Sequence, residues 1–173
     1  MIGMFRNLLR AVVACSIAAL PTLALAQTPE FLGTFRDWNV YAFTENGNKI
    51  CYMASEPTKQ EGNYTRRDSP AVLVTRRPGP KVVDEVSVQP GYSYLDGSEV
   101  EVTIGGDKFL LFTRGEHAWT KSEEADQALI VGMKRGTDMS VRGTSVKNTF
   151  SLDTYSLLGF TKAYEAMINA CQG

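Results

Sequence analysis

Residues 99–112 read EVEVTIGGDKFLLF, and this stretch decides the fold class. From Val100 to Ile104, apolar residues alternate with polar ones, which is the period of a strand with one buried face. Gly105-Gly106 then provides a turn. The following run, Phe109 to Phe112, is apolar on both faces and predicts a central strand. The stretch therefore predicts a β-hairpin.

The same alternation continues on both sides of this hairpin. Asn46-Gly47 separates two alternating runs and predicts a second hairpin. Pro90-Gly91 predicts another turn, which leads from the strand at Val86 to Val88 into a strand at Tyr92 to Tyr94. Further strands are predicted at 71–75, 139–143 and 150–152. Eight or nine short strands with turns between them predict an all-β sandwich or barrel.

Two segments depart from this period. Thr120 and Glu123 form a capping-box pattern, which predicts a helix over residues 121–135 that ends at Gly136. At the carboxyl end, apolar residues at helical spacing predict a second helix with Cys171 on its buried face. These residues are Phe160, Ala163, Tyr164, Met167, Ile168 and Cys171. Residues 56–69 are mainly polar and predict an exposed loop.

The first 26 residues have the pattern of a secretory signal peptide. Arg6 and Arg10 precede an apolar run, and Ala24 to Ala26 forms a cleavage site before Gln27. We expect residues 27–173 to form a single domain in the periplasm or outside the cell. Cys15 follows a lipobox-like sequence, so acylation at Cys15 is the alternative.

Cleavage at this site would leave two cysteines, Cys51 and Cys171. An even pair in an oxidising compartment predicts one disulfide bond. Two buried free thiols are the alternative.

The charge and residue inventory excludes several classes of function. The net charge of −1 argues against a nucleic-acid partner that is held through its phosphates. With a single histidine and three cysteines in the whole sequence, the usual metal-binding patterns are missing, and we expect no metal site. No segment outside the signal is long and apolar enough to be a transmembrane helix.

The candidate interaction residues are basic and aromatic. Arg66, Arg67, Arg76 and Arg77 lie in a stretch with one acidic residue, Asp68, and could meet an anionic partner. The alternative is that they pair with acidic residues across the sheet. His117 and Trp119 lie together in one loop. Five aromatic residues could form a stacking platform for sugars or could belong to the core. They are Trp38, Tyr64, Tyr92, Tyr94 and Trp119.

Several motifs together resemble the invasion-associated locus B (IalB) family. They are RDWNV (36–40), Cys51, SPAVLVT (69–75), VSV (86–88) with Gly91-Tyr92, 112–119, MKRG (133–136), DTYSL (153–157) with GFT (159–161), and Cys171. The residue before Asp37-Trp38 is often glycine in that family and is Arg36 here. The resemblance implies an immunoglobulin-like β-sandwich in a secreted or periplasmic bacterial protein, with no enzyme activity and no cofactor.

Two functions from different classes fit these observations. The first is a non-enzymatic binding module of the bacterial envelope, with an envelope or host-surface component as partner and a role in host-cell invasion implied by the family. The second is a small periplasmic hydrolase or a carbohydrate-binding accessory domain with a cleft near His117 and Trp119. The second requires an acid or a hydroxyl within hydrogen-bond reach of His117.

Overall fold

A computed structural model describes residues 28–79 and 82–172 of the chain. The predicted signal peptide, Cys15 and the expected first residue Gln27 lie outside these residues. The described part is mainly β, with two helices. The elements are β1 (Glu30–Phe35), β2 (Trp38–Glu45), β3 (Asn48–Ser55), β4 (Lys59–Gly62), β5 (Ala71–Arg77), β6 (Val83–Gln89), β7 (Glu99–Ile104), β8 (Asp107–Arg114), β9 (His117–Trp119), α1 (Glu123–Arg135), β10 (Asp138–Thr144), β11 (Phe150–Ser156) and α2 (Phe160–Ala170).

All eleven described strands join in one antiparallel sheet, in the order β1-β2-β3-β5-β6-β9-β8-β7-β10-β11-β4. The sheet folds over itself, so that its two halves form two layers. Val86 of β6, Val102 of β7 and Met139 of β10 meet in the core against Leu129 of α1. The predicted mainly β fold with one internal and one C-terminal helix is confirmed, and its two layers agree with an immunoglobulin-like sandwich.

The tight turns follow from local sequence. Asn46 (φ 51°) and Gly47 (φ 79°) both have left-handed backbones and join β2 to β3, as the hairpin prediction required. Gly105-Gly106 joins β7 to β8 in the same way. The β1–β2 turn places Arg36 at φ 59°, a conformation that favours glycine.

The prediction of a strand after Pro90-Gly91 is wrong. β6 pairs with β5 and β9, and Tyr94 makes only an isolated bridge with Ser145. The chain leaves the sheet at Gly91 because this residue packs against the backbone of Asp68. A Cβ on Gly91 would lie 2.0 Å from the Asp68 carbonyl oxygen. The turn at Pro90-Gly91 therefore packs against the loop that contains Asp68 and does not connect two paired strands.

The prediction that the apolar run in β8 forms a central strand is confirmed, although this strand is buried on one face only. Leu111 is fully buried, but Leu110 is 50% exposed and Phe112 is 39% exposed. β8 is central in strand order, between β9 and β7. One face of the sheet is open at this point, so an apolar pattern there does not mean burial.

The helix α1 begins two residues later than predicted. Its N-cap is Ser122, whose Oγ accepts a hydrogen bond from the Ala125 N–H at 3.2 Å. The Thr120 hydroxyl instead donates to the Ser122 carbonyl, so Thr120 supports the turn before the helix. Leu129, Ile130 and Met133 form its buried face.

The C-terminal helix α2 covers the first three strands. Phe160 packs edge-on against the fully buried Trp38, with ring centroids 5.0 Å apart. Cys51 of β3 and Cys171, which caps α2, form a disulfide with a Cα–Cα distance of 6.0 Å. Both the predicted helix and the predicted disulfide are confirmed. The bond joins residues 120 positions apart and holds the helix against the sheet.

Candidate binding site

The structure separates the four candidate arginines into two pairs. Arg66 and Arg67 precede β5, whereas Arg76 and Arg77 lie at the far end of the same strand. A seven-residue strand is about 20 Å long, so the four side chains cannot form one basic patch.

The pair at the far end of β5 is engaged by acidic residues. Arg76 donates to both carboxylate oxygens of Asp84 on β6, at 2.9 and 2.8 Å. Asp84 also accepts a 2.6 Å hydrogen bond from the Tyr164 hydroxyl, and the pKa of Tyr164 is raised by burial and by this contact. Arg77 faces Glu45 at 3.7 Å, and both side chains are about half exposed. For Arg76 and Arg77, the structure therefore shows the alternative given in the sequence analysis, in which the arginines pair with acidic residues across the sheet.

Arg67 lies inside the protein, with only 2% of its side chain exposed. Its two terminal nitrogens donate to both oxygens of Asp153 on β11, a bidentate ion pair. One of them also donates to the Pro90 carbonyl at 3.2 Å, and the other donates to the Gln60 side chain at 2.9 Å. Burial opposes the charge, yet the contacts with Asp153 outweigh it, so the pKa of Arg67 lies above its ordinary value.

Two of the five aromatic residues lie directly beside this ion pair. The Arg67 guanidinium is 4.6 Å from the centroid of the Tyr64 ring, a cation–π contact. The Tyr92 hydroxyl is 2.7 Å from the Ser151 hydroxyl, and burial raises the pKa of Tyr92. The Tyr64 ring is therefore held by Arg67, and the Tyr92 ring is held by Ser151.

The other three aromatic residues divide between the core and the sheet surface. Trp38 is fully buried and Tyr94 is 3% exposed, so neither can bind a sugar. Trp119 stacks on His117, with centroids 5.4 Å apart, and faces Phe112 of β8 at 5.8 Å. The five residues do not form one platform.

Tyr64 and Tyr92 line a cleft of about 320 Å³, which we call the loop cleft. It is built from the loops between strands at one end of the sandwich. Its lining residues are Tyr64, Thr65, Arg66, Tyr92, Ser93, Glu116, Ser145, Val146, Lys147 and Thr149. Of the candidate residues proposed from the sequence, the loop cleft includes Arg66 and both of these tyrosines.

Glycines allow the loops of the cleft to pack this closely. A Cβ on Gly62 would lie 2.2 Å from the Phe150 carbonyl oxygen and 2.8 Å from the Tyr64 ring. A Cβ on Gly143 of β10 would lie 3.0 Å from the Tyr92 hydroxyl. These positions fix the two rings, so the shape of the cleft depends on backbone contacts as well as on the ion pair.

The mouth of the loop cleft carries three charged side chains, Arg66, Lys147 and Glu116, all of them exposed. Glu116 accepts a long hydrogen bond, 3.4 Å, from the Ser93 hydroxyl. The Ser145 hydroxyl accepts from the backbone N–H groups of Lys147 and Thr149, which shapes the turn that presents Lys147. Cations outnumber carboxylates by two to one at this opening.

Sequence reasoning missed Asp153, Glu116 and Lys147. One signal for Asp153 was present, because residues 150–155 alternate and Asp153 falls on the same face as Tyr155. A carboxylate on the buried face of a strand requires a buried cation. No comparable signal marks Glu116 or Lys147, which are ordinary loop residues.

His117 forms a hydrogen bond with the Gln89 amide, with 2.8 Å between Nε2 of His117 and Nε2 of Gln89. The hydrolase alternative requires an acid or a hydroxyl at His117, and the Gln89 amide is neither. Among residues 28–79 and 82–172, no three histidine, cysteine or acidic side chains are placed to share a metal ion. Neither helix in this part of the chain has the length and apolar character that crossing a bilayer requires.

The fold defines the class of the protein, a mainly β sandwich domain cross-linked by a disulfide. The family follows from its sequence. A family model described as "Invasion associated locus B (IalB) protein" matches residues 38–168, and the chain belongs to this family. The crystal structure of invasion associated protein B from Bartonella henselae is similar, with a TM-score of 0.58 and 16% identity over 83% of this chain and 97% of that chain. At that identity the likeness concerns the fold alone. No curated protein matches the chain in sequence.

Proposed function

We propose that this IalB-family protein is an exported, non-enzymatic binding module of the bacterial envelope, and that the loop cleft is its binding site. The observation that carries the proposal is the buried Arg67–Asp153 ion pair beneath the cleft. This pair holds Tyr64 and the loop of Arg66 in fixed positions. A preorganised, partly aromatic cleft with charged groups at its mouth is typical of a ligand site.

The disulfide supports export. Cys51 and Cys171 are bonded, and such bonds persist in oxidising compartments outside the cytoplasm. The signal-like sequence of residues 1–26 agrees with this location. The sequence determined from the amino terminus of the exported protein should begin at Gln27. If Cys15 is instead found as an acylated first residue, the protein is anchored to a membrane and the proposed cleavage site is wrong.

The surroundings of His117 favour binding over catalysis. A general base needs a partner that orients it and a nucleophile within reach. The ring of His117 stacks on Trp119 and contacts the Gln89 amide, and neither of these groups is a nucleophile. We therefore expect His117→Ala to leave partner binding and melting temperature nearly unchanged. Turnover of simple ester or glycoside substrates that disappears in this variant would revive the hydrolase alternative.

The partner we propose is an envelope or host-surface component, and the family description makes host-cell invasion the process to test. Purified residues 27–173 would be titrated onto bacterial envelope and host-membrane fractions and the bound protein quantified. The variant Arg66→Gln with Lys147→Gln should bind at least tenfold more weakly. A matched control, Arg135→Gln with Lys162→Gln, also removes one arginine and one lysine and should bind like the wild type. Equal binding of all three proteins would contradict the loop cleft as the site.

A further inference from the structure

The loop cleft combines three kinds of groups whose joint chemistry narrows the ligand. The first is cationic, from the exposed side chains of Arg66 and Lys147. The ion pairs within the described residues involve other cations, so both charges remain for a ligand. An exposed guanidinium and an ammonium at the mouth of one small cleft favour a ligand with a negative charge.

The second kind is aromatic. The rings of Tyr64 and Tyr92 line the cleft and are fixed by Arg67 and by Ser151. Rigid aromatic rings provide flat contact area with little loss of side-chain freedom on binding. The C–H bonds on one face of a pyranose ring match such a surface. A flexible acidic peptide would gain less from it, since Val146 is the only aliphatic side chain among the lining residues.

The third kind is the hydroxyl. Thr65, Ser93 and Thr149 bring hydroxyl groups to the same cleft, and Glu116 adds an acceptor. Closely spaced donors and acceptors match the hydroxyl groups of a sugar, and each polar contact adds specificity when solvent is excluded. A cleft of about 320 Å³ lies at the lower end of the usual range for small-molecule sites, which suits a short saccharide unit.

From this combination we infer that the loop cleft binds an anionic saccharide, with the sugar ring against Tyr64 and Tyr92 and its carboxylate or sulfate between Arg66 and Lys147. This inference rests on the proposed function of the cleft as a binding site and names its ligand class. The carboxylate of a uronic acid and the sulfate of a sulfated glycan share the chemistry that the two cations would recognise.

The test uses one pair of ligands matched except for esterification, which removes the charge, and two further anionic ligands for comparison. Residues 27–173, uniformly labelled with ¹⁵N, would be titrated with trigalacturonate, with its fully methyl-esterified form, with a heparin-derived tetrasaccharide and with hexaglutamate. We expect amide shifts at Ser93 and Lys147 with the first and third ligands. The ester should bind at least tenfold more weakly. Because the heparin fragment carries sulfates in addition to carboxylates, binding that is much tighter to it than to trigalacturonate would indicate a sulfated ligand, and similar binding would indicate that carboxylates suffice.

Variants locate the interaction. Arg66→Gln and Lys147→Gln should each weaken trigalacturonate binding about tenfold, and raising the salt concentration should weaken it further. Tyr64→Ala should also reduce binding, while Tyr64→Phe should retain it, because the ring and not the hydroxyl makes the contact. The control pair Arg135→Gln with Lys162→Gln should match the wild type.

Each remaining outcome overturns the inference in a distinct way. If the methyl ester binds as tightly as trigalacturonate, the charge of the ligand does not contribute to binding. If hexaglutamate binds as tightly as trigalacturonate, the sugar ring does not contribute. Failure of all four ligands overturns the saccharide assignment. If the cleft variant then still loses binding to envelope or host fractions, the proposed function survives with another ligand. If that binding also persists, both proposals fail.

Discussion

Replacing Arg67 with methionine should unfold the protein at a markedly lower temperature. The substitution keeps an unbranched apolar side chain but removes the guanidinium and its charge, and it leaves Asp153 buried, with 3% of its side chain exposed. Breaking one partner of a buried ion pair costs about 3–5 kcal/mol, because the remaining charge is uncompensated. The Pro90 carbonyl also loses its donor. For a domain of this size we expect the melting temperature to fall by roughly 6–20 °C.

A double-mutant cycle separates the ion pair from packing. Urea and thermal unfolding, followed by circular dichroism, would compare wild type, Arg67→Met, Asp153→Leu and the double variant. The double variant contains no buried charge at this position, so it should recover at least half of the loss. A surface control, Arg135→Met, should change stability by no more than about 0.5 kcal/mol. A loss below about 1 kcal/mol in Arg67→Met, or purely additive effects, would refute the buried ion pair as the support of the cleft.

The disulfide closes a loop of 120 residues, so Cys171→Ser should cost about 2–5 kcal/mol in thermal melts without reductant; two free thiols by mass spectrometry, or equal melting temperatures, would contradict this. Burial raises the pKa of Asp126, which means that the folded state favours its protonated form and that stability falls as pH rises through the raised pKa. Asp126→Asn keeps an oxygen for the Val86 N–H, so its urea stability should exceed that of wild type at pH 7 and approach it near pH 3. Asp126→Ala leaves that N–H without an acceptor and should cost about 1–3 kcal/mol, and an Asn variant that is less stable at pH 7 would reverse the reasoning.

Features set by neighbouring residues could be predicted from the sequence, and so could the disulfide, for which only one pair of cysteines was available. The hairpin at Asn46-Gly47 follows from backbone preferences over two positions. The helix α2 follows from the spacing of its own apolar residues, and the disulfide follows from an even cysteine count once Cys15 is assigned to the predicted signal peptide. Each of these predictions needed no knowledge of which strands are neighbours in the sheet.

Features set by distant partners could not be predicted in this way. Arg67 looks like a surface residue because its partner, Asp153, is 86 positions away in the chain. The sequence signal at Pro90-Gly91 is that of a hairpin, and the contact with Asp68 that redirects the chain is made only in the folded protein. The loop cleft combines residues from four separate segments, so its composition depends on the strand order.

The helix α2 packs on β1, β2 and β3, so the last element of the chain to be synthesised covers the first ones. The chain is made from its amino end, so Trp38 and Cys51 exist before the helix that shields them. At about 5–20 residues per second, the 120 residues from Cys51 to Cys171 take roughly 6–24 s to make. During that interval, the face of β2 and β3 that α2 covers in the folded protein has no helix on it, and Cys171 is not yet available to pair with Cys51. This face is therefore exposed in the newly made chain until the last helix is complete.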